Sequence, residues 1–306
     1  MKAAVVQSAS IVFNTRRTLE KLADLTRDAA AQGANLVVFP EAFVGGYPKG
    51  LDFGARVGLR SDEGREDFRR YFESAIDLPG TDADRIGQAA CVNGVHLVTG
   101  VIERDGGTLY CTAVHYSPEG RLLARHRKVM PTALERLVWG CGDGSTLSVT
   151  ETEIGRVGSV ICWENYMPLL RMAMYAQGIE IYCAPTVDDR DTWLPTMQTI
   201  AMEGRCFVLS ACQYLTRGDC PTSYSAIQGD DPATVLIRGG SCVIDPLGKI
   251  LVEPYFSGEA ILLAELDRRV IAKGKFDLDV TGHYARPDIF KLEVNTSTRK
   301  TVLFEE

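Results

Sequence analysis

Short apolar runs rich in valine and isoleucine alternate with helix-like segments along most of the chain. The strand-like runs are Lys2–Gln7, Asn35–Phe39, Val95–Val101, Val157–Ile161, Glu180–Ala184 and Phe207–Ala211. The helix-like segments are Arg16–Gln32, Asp82–Asn93, Pro168–Gln177 and Thr192–Gly204. Strands this apolar are typical of sheets that are covered on both faces. The alternation therefore predicts an α/β layered fold with a mixed sheet.

Two antiparallel strand pairs are expected within this pattern, because turn residues separate neighbouring apolar runs. Leu109–Tyr116 and Leu122–His126 are predicted to form a hairpin about a Ser-Pro-Glu-Gly turn. Gly240–Ile244 and Ala260–Leu266 are predicted as the strands that bracket an Asp-Pro-Leu-Gly turn. The sequence contains no linker, low-complexity segment or repeat of solenoid period, so we expect residues 1–306 to form a single domain.

The longest stretch without a clear pattern is Gly45–Gly64, which is rich in glycine and in charged residues. Long ordered loops in compact domains are often functional. The stretch is interpreted either as a loop that covers a substrate or as an excursion over the surface, and the sequence leaves both interpretations open.

The composition narrows the class of protein and its partners. A formal net charge of −7 without a basic run argues against nucleic acid or a membrane surface as a partner. The apolar runs are too short to span a bilayer, and the N-terminus turns polar too soon for a signal peptide. Nine cysteines without a CxxC pair favour reduced thiols in the cytoplasm over a disulfide framework. The four histidines show no zinc-binding spacing, so we expect neither a metal nor another cofactor.

Three predicted strands end at residues that carry reactive groups. Glu41 follows LVVFP, Lys128 follows ARHR, and Cys162 follows VGSVI. Active sites of α/β sheets lie beyond the carboxyl ends of the strands, where several ends converge. Each residue alone has a plainer interpretation, namely a helix cap, part of a solvated basic cluster, or one buried cysteine among nine. Their joint position at strand ends favours one common site.

The chemistry of these three groups is compatible with a single reaction. A nearby cation lowers the pKa of a thiol, and the thiolate is the nucleophile. A carboxylate can accept the thiol proton and later a water proton, while an ammonium group stabilises developing negative charge. The set suits attack on an electrophilic carbon bonded to nitrogen. A Cys–His pair is the alternative, because His126 would share a strand face with Lys128, and the sequence leaves it open.

Four longer motifs resemble those of the nitrilase superfamily, and within it those of the true nitrilases of plants and related bacteria. The motifs are VVFPEAFVGGYPKG at Val37–Gly50, HRKVMPTALERLVWGCGDGS at His126–Ser145, GSVICWENYMPLLR at Gly158–Arg171 and GHYARPDIF at Gly282–Phe290. Together they are far more specific than any one short pattern. The resemblance implies a four-layer αββα sandwich. It also implies hydrolysis of an organic nitrile to a carboxylic acid and ammonia, with some amide as a second product.

The same resemblance implies roles for individual residues. Cys162 would be the nucleophile, Glu41 the general base and Lys128 the group that stabilises the tetrahedral intermediate. Glu135 would orient Lys128 or the substrate. The backbone N–H of Trp163 is expected to act beside Lys128 as a second donor to developing negative charge.

The substrate pocket is expected to include Tyr47, Trp163, Trp193 and the segment Pro185–Asp189. The dipeptide Trp163-Glu164 after the cysteine resembles nitrilases more than the amidases of the superfamily. An amidase or carbamoylase on the same scaffold is one alternative, and a catalytically silent binding or scaffold protein is another.

Two departures from the family pattern bear on assembly and on one loop. Cys141 stands in WGCGDG where relatives usually have glutamine. The chain also ends soon after the last motif, whereas related nitrilases often carry a longer tail that helps their subunits assemble into spirals. The resemblance implies a homodimer or a larger homo-oligomer, and the departure at the C-terminus makes assembly beyond a dimer an open point.

Overall fold

The structure is a computed structural model that describes residues 1–299 and residue 302. Its strands are β1 Lys2–Gln7, β2 Leu36–Val38, β3 Ala55–Arg56, β4 Leu59–Arg60, β5 Ile76–Asp77, β6 His96–Asp105, β7 Thr108–Tyr116, β8 Leu122–Arg127, β9 Val149–Thr152, β10 Gly155–Ser159, β11 Ile181–Cys183, β12 Phe207–Ser210, β13 Tyr214–Thr216, β14 Val235–Arg238, β15 Ser241–Ile244, β16 Ile250–Tyr255 and β17 Ala260–Glu265. Its α-helices are α1 Thr15–Ala31, α2 Asp62–Ser74, α3 Thr81–Asn93, α4 Glu135–Val138, α5 Pro168–Ala176, α6 Trp193–Gly204 and α7 Arg269–Gly274.

Two mixed sheets are built from these strands. The first has the order β17-β1-β2-β6-β7-β8, with β5 also paired to β6, and the second has the order β16-β15-β12-β11-β10-β9. In the first sheet β1, β2 and β6 run parallel, and in the second sheet β10, β11 and β12 do so. Antiparallel strands flank these parallel centres. They are β17, β7 and β8 in the first sheet and β9, β15 and β16 in the second. The predicted mixed sheet is confirmed, but as two sheets.

Successive side chains of a strand point to opposite faces of its sheet. This alternation explains why the two sheets stack on each other and why helices cover their other faces. On β1, Ala3 and Val5 pack against the second sheet, whereas Val6 packs against the helices α1 and α3. On β12, Leu209 packs against the first sheet and Val208 against α5 and α6. Because both faces of each strand are apolar, each sheet needs one neighbour on either side. The layers follow the order helix, sheet, sheet, helix, and the αββα sandwich that the resemblance implied is confirmed.

The predicted strand pair about the Asp-Pro-Leu-Gly turn is only half correct. The turn joins β15 to Ile250–Tyr255, a strand that the sequence analysis missed, and these two strands pair antiparallel. Ala260–Glu265 does not bracket the turn. It pairs with Lys2–Gln7 at the edge of the other sheet. The run was recognised as a strand because its residues are apolar, but its partner lies more than 250 positions earlier in the chain, beyond what local pattern can indicate.

The ambiguous stretch Gly45–Gly64 is anchored to the body of the protein. It contains the β3–β4 ribbon and runs into α2, a helix that the sequence analysis missed. The Tyr224 hydroxyl donates a hydrogen bond to the carbonyl of Lys49 (2.6 Å), and the Phe53 ring packs 5.9 Å from that of Tyr71. Phe53 and Tyr47 also pack against the apolar cluster that contains Cys162. The position of the stretch favours the interpretation as a loop over the site.

A close approach at Gly100 on β6 shapes the turn that carries Glu41. A Cβ atom built at Gly100 would lie 2.4 Å from the amide nitrogen of Ala42 and 2.6 Å from Cα of Glu41. Real Cβ contacts are never this short, so any side chain at position 100 would displace the turn. Position 100 therefore has room only for a glycine.

We therefore expect Gly100→Ala to lower the free energy of unfolding by about 1–3 kcal/mol, the usual cost of overpacking. The control is Gly107→Ala in the β6–β7 turn, where a Cβ atom meets nothing within 4 Å. That change should stay within about 0.5 kcal/mol. Urea unfolding followed by circular dichroism measures both. Equal stability of the two variants would contradict the assignment of Gly100 as a steric requirement.

Candidate active site

Glu41, Lys128 and Cys162 meet at one end of the sandwich. Glu41 follows β2 and Lys128 follows β8, both in the first sheet, while Cys162 follows β10 in the second sheet. Glu41 and Lys128 are fully buried, and Cys162 is almost so. The Lys128 ammonium donates to Glu41 Oε1 over 2.7 Å. The structure thus brings together the three groups that the sequence placed at strand ends.

The backbone holds these side chains in a conformation that L-residues adopt rarely. Cys162 has φ +49°, and Ala42, directly after Glu41, has φ +50°. Ala133, in the turn between Lys128 and Glu135, has φ +47°. Left-handed conformations of non-glycine residues cost free energy and are concentrated at functional sites. Three of them around one cluster indicate that the surrounding structure holds these groups in place for a function.

Glu135 lies against Lys128, a position compatible with the orienting role that the resemblance implied. Glu135 Oε2 accepts hydrogen bonds from Lys128 Nζ (2.7 Å) and from the backbone N–H of Thr132 (2.6 Å). Its Oε1 accepts from the Tyr47 hydroxyl (2.8 Å). The ammonium therefore lies between two carboxylates, and Tyr47, expected as a pocket residue, reaches the site through Glu135.

The electrostatics of the cluster set the protonation states from which the chemistry must start. Burial raises the pKa of the Cys162 thiol, and the charge of Glu41 raises it further while Lys128 opposes both. Burial lowers the pKa of Lys128, but the carboxylate of Glu41 and neighbouring anions hold it well above its ordinary value. Lys128 is therefore a cation and Cys162 a neutral thiol, which needs a base at the moment of attack.

Glu41 is the carboxylate nearest to hand for such a base, because it is buried in the same cluster as Lys128 and Cys162. Burial raises the pKa of Glu41, although the charge of the Lys128 ammonium and its hydrogen bond to Glu41 oppose the shift. Glu41 Oε1 accepts a hydrogen bond from the Lys128 ammonium, whereas Oε2 is buried without a hydrogen-bond partner within the described residues. One carboxylate oxygen is thus free to accept a proton.

The alternative Cys–His pair is not formed. His126 Nε2 lies 2.9 Å from Glu164 Oε2, and its Nδ1 lies 3.3 Å from the carbonyl oxygen of Thr146. Both ring nitrogens are therefore engaged away from Cys162. The continued strand that would have placed His126 and Lys128 on one face ends at Arg127. The structure therefore gives no support to His126 as the base that the sequence left open.

The two tryptophans expected in the pocket lie in different places. Trp163 is 42% exposed, its indole N–H donates to Asp188 (2.9 Å), and Arg190 stacks over its ring. Trp193 is only 2% exposed, and its indole N–H donates to Ser210 in the core between α6 and the second sheet. Trp163 therefore stays at the rim of the site. Trp193 is not brought together with Cys162, because α6 directs its ring into the helix–sheet layer.

The backbone N–H of Trp163, expected as a donor to developing charge, is available in this geometry. The amide of Cys162 donates to the carbonyl of Pro185 (2.9 Å), and that of Glu164 donates to Ile161 (3.1 Å). The N–H of Trp163 between them has no acceptor among residues 1–299. An amide at the start of a 3₁₀ turn beside the thiol is suited to bind an anionic atom.

Two residues of the site were missed by the sequence analysis. The ring of Trp139 lies 5.4 Å from Lys128 Nζ, and its indole N–H donates to the Tyr71 hydroxyl (2.9 Å). Cys111 Sγ lies 3.5 Å from Glu41 Oε1. Trp139 stands within the motif His126–Ser145, which also contains Lys128, so its position in that motif could have indicated a place near the site. Cys111 had none, since its strand pattern is that of any buried residue.

A recess of about 120 Å³ adjoins the cluster on the Glu135 side. It lies between α4 and the loop after Tyr47, and its lining includes Tyr47, Leu51, Phe53, Leu137 and Glu135. Most of the lining is apolar, with Glu135, Asp52 and Lys49 as its charged residues, and this is compatible with a small organic substrate.

The described part of the chain offers neither a cluster of metal ligands nor a membrane-spanning helix. It holds no group of three or more His, Cys, Asp or Glu side chains arranged to bind a metal ion. Within the same residues, no helix is both long and apolar enough to cross a bilayer.

Comparison with known proteins places the chain in a family. The carbon-nitrogen hydrolase family model matches residues 2–276. A nitrilase of Bradyrhizobium diazoefficiens is 58% identical over 98% of this chain and 94% of its own length. An aliphatic nitrilase of Sinorhizobium fredii is 56% identical over 99% and 98%. A bifunctional nitrilase/nitrile hydratase of Nicotiana tabacum is 51% identical over 99% and 88%.

Solved structures agree with the fold. The NitFhit protein of C. elegans superposes with a TM-score of 0.75 at 18% identity, covering 98% of this chain and 68% of that protein. A carbon-nitrogen hydrolase of Helicobacter pylori G27 gives 0.73 at 22% identity, covering 94% and 96%. The resemblance that the motifs carried is confirmed, and the chain belongs to the carbon-nitrogen hydrolase family, in its nitrilase branch.

Proposed function

We propose that this protein is a nitrilase that hydrolyses an organic nitrile to a carboxylic acid and ammonia, with Cys162, Glu41, Lys128 and Glu135 as its active-site residues. The observation that carries the residue roles is the buried Lys128 ammonium between two carboxylates, beside a neutral thiol. Full-length relatives named nitrilases, at 51–58% identity, support the reaction.

The first step joins the enzyme to its substrate. Glu41 takes the proton of the Cys162 thiol as sulfur attacks the nitrile carbon. One C–N π bond breaks, its electron pair moves to nitrogen, and Glu41 passes the thiol proton to that nitrogen, which gives a thioimidate and restores the Glu41 carboxylate. Lys128 and the N–H of Trp163 stabilise the negative charge that develops on nitrogen. Burial raises the pKa of the Cys162 thiol, so Glu41 has to remove this proton for sulfur to attack.

The second half releases nitrogen and then the acid. Glu41 takes a proton from water as the water adds to the thioimidate carbon, which gives a tetrahedral intermediate. Cleavage of its C–N bond, with a proton on nitrogen, releases ammonia and leaves a thioester. A second water then cleaves the C–S bond and releases the carboxylic acid. Glu41 serves as base and acid in turn because it is the carboxylate with a free oxygen.

The same intermediate offers a second outcome. If the C–S bond breaks before the C–N bond, the thiolate leaves and the product is the amide. Relatives of Nicotiana tabacum and Lupinus angustifolius are named bifunctional nitrilase/nitrile hydratase, which supports a mixture of products here. The acid-to-amide ratio therefore reports which bond of the intermediate breaks.

The assembly and the location of the protein are proposed as well. A homodimer or larger homo-oligomer and a cytoplasmic location follow from the family resemblance and from nine cysteines without a CxxC pair. An amidase or carbamoylase activity is the second candidate, and Trp163-Glu164 after the nucleophile weighs against it. Ammonia release from a nitrile, compared with release from the matching amide, separates the two.

Replacement of the nucleophile is the first test. Cys162→Ala should abolish ammonia release from every nitrile while the circular dichroism spectrum stays unchanged, since the reaction requires a covalent bond to sulfur. The control is Cys183→Ala, which removes another buried thiol, at the end of the neighbouring strand β11. It should lose stability but keep its turnover. Wild-type ammonia release by Cys162→Ala would exclude Cys162 as nucleophile.

Glu135 is expected to act on chemistry more than on binding. Glu135→Gln keeps the shape but removes the charge that faces Lys128, so kcat should fall about a hundredfold or more, corresponding to about 2.7 kcal/mol, with KM changed little. Glu151→Gln, at an exposed position on β9, is the control and should leave both constants alone. An unchanged kcat in Glu135→Gln would place this carboxylate outside the mechanism.

Metal removal should have no effect. The proposed mechanism assigns charge stabilisation to an ammonium group and a backbone amide, so activity should survive exhaustive dialysis against a chelator. Metal content by plasma mass spectrometry checks the removal. A loss of activity that zinc restores would contradict this assignment.

A further inference from the structure

The carboxylate of Glu164 is buried two residues beyond Cys162 and takes no part in the steps described above. Its Oε1 accepts a hydrogen bond from the backbone N–H of Val129 (2.6 Å), and its Oε2 accepts from the backbone N–H of Ile161 (2.9 Å). The ring of His126 also lies within hydrogen-bond distance, 2.9 Å from Oε2. One side chain thus joins three points of the structure.

The two backbone partners are the immediate neighbours of reactive residues. Val129 follows Lys128 at the end of β8 in the first sheet, and Ile161 precedes Cys162 after β10 in the second sheet. A single carboxylate therefore connects the chain that carries the ammonium to the chain that carries the thiol. The bonds cross from one sheet of the sandwich to the other, beside the site of reaction.

Apolar packing alone does not fix the position of Lys128 relative to Cys162 as accurately as catalysis requires. The sheets are otherwise held face to face by side chains such as Val38, Val98 and Leu209, and the hydrophobic effect is not directional. Catalytic groups need positions accurate to about 0.5 Å, and a misplacement of about 1 Å can cost a hundredfold in rate. Short hydrogen bonds to a charged acceptor supply direction as well as distance.

His126 compensates the charge that this connection buries. Burial lowers the pKa of His126, but the Glu164 carboxylate more than reverses that effect, so the pKa lies above its ordinary value. His126 is on β8, two residues before Lys128, and its bond to Glu164 therefore adds a second link from the lysine strand. The imidazole and carboxylate form a buried pair that is held on both sides by hydrogen bonds.

We propose that Glu164 is a positioning residue that fixes Lys128 relative to Cys162 across the two sheets, and thereby favours acid over amide as product. The proposal rests on the nitrilase reaction proposed above. Glu164 touches no reacting atom, and it acts through the backbone of Val129 and Ile161.

The effect on products follows from the two ways in which the tetrahedral intermediate can break. Ammonia leaves only with a proton on nitrogen, and that requires a positioned donor near it. The thiolate leaves without one. Glu41 is the donor in the steps above, and its Oε1 accepts the 2.7 Å hydrogen bond from Lys128. If Lys128 shifts away from Cys162, Glu41 shifts with it, and cleavage of the C–N bond should slow more than cleavage of the C–S bond. The share of amide should then rise as the rate falls.

The test compares Glu164→Gln with a buried carboxylate that does not cross between the sheets. Glu103 is buried and accepts hydrogen bonds from Arg127, Arg125 and Thr112, all within the first sheet. Glu103→Gln should cost stability as Glu164→Gln does, so it separates a loss of folding from a loss of positioning. Acid, amide and ammonia are quantified for each variant on the best nitrile, together with urea unfolding.

For Glu164→Gln we expect kcat to fall at least about tenfold, KM to change less than about threefold, and the amide share to rise. Glu103→Gln should keep the wild-type amide share. Wild-type kcat and product ratio in folded Glu164→Gln would overturn the proposal, as would an equal rise of amide in Glu103→Gln. If Glu164→Gln does not fold, His126→Gln decides, because it keeps both backbone bonds and should show a smaller change in the same direction.

A failure of the positioning role of Glu164 can be distinguished from a failure of the proposed nitrilase function. Alkylation of Cys162 by iodoacetamide, followed by peptide mass spectrometry, needs no nitrile turnover. If the wild type hydrolyses no nitrile, the nitrilase proposal fails, while slower alkylation of Cys162 in Glu164→Gln than in Glu103→Gln still supports the positioning role. Equal alkylation rates in these two variants would overturn it.

Discussion

The ion cluster about Lys128 is the interaction on which the site depends. One ammonium is buried between the carboxylates of Glu41 and Glu135. Burial of these charges costs solvation free energy, which is offset only while every partner is present. The hydroxyl of Tyr47 and the amide of Thr132 satisfy the outer carboxylate, so the covering loop and the turn before α4 are both attached to the cluster. The arrangement leaves one oxygen of Glu41 free for a proton.

The sandwich is the reason that this cluster meets a thiol. Glu41 and Lys128 follow strands of the first sheet and Cys162 follows a strand of the second, so the reaction proposed here would take place between the two sheets. Polar side chains cross this boundary next to the reacting groups. Glu164 holds the chain beside Lys128, and Gln213, which follows β12, donates to the carbonyl of Glu41 over 2.8 Å. Apolar packing sets the layers, and these directional bonds set the geometry within them.

Local sequence pattern predicts those parts of the molecule that depend on local chemistry. The strand β1 was predictable because its residues are apolar on both faces, and the reactive residues were predictable because they stand where strands end. The pairing of the strands was not predictable, since Ala260–Glu265 pairs with a strand at the other end of the chain. Trp193 was expected in the pocket, but the phase of α6 turns its side chain into the core. The bonds of Glu164 depend on the packing of two sheets, and no local pattern contains that information.

The central claim is that the reaction passes through a covalent bond to Cys162, and a single-turnover experiment tests it most directly. Enzyme in excess over a nitrile is quenched in acid at successive times, digested and examined by mass spectrometry. The account predicts an acyl or imidoyl adduct on the peptide that carries Cys162, which appears before the acid and disappears as the acid forms. Complete conversion with Cys162 unmodified at every time, or an adduct on another cysteine, would contradict it.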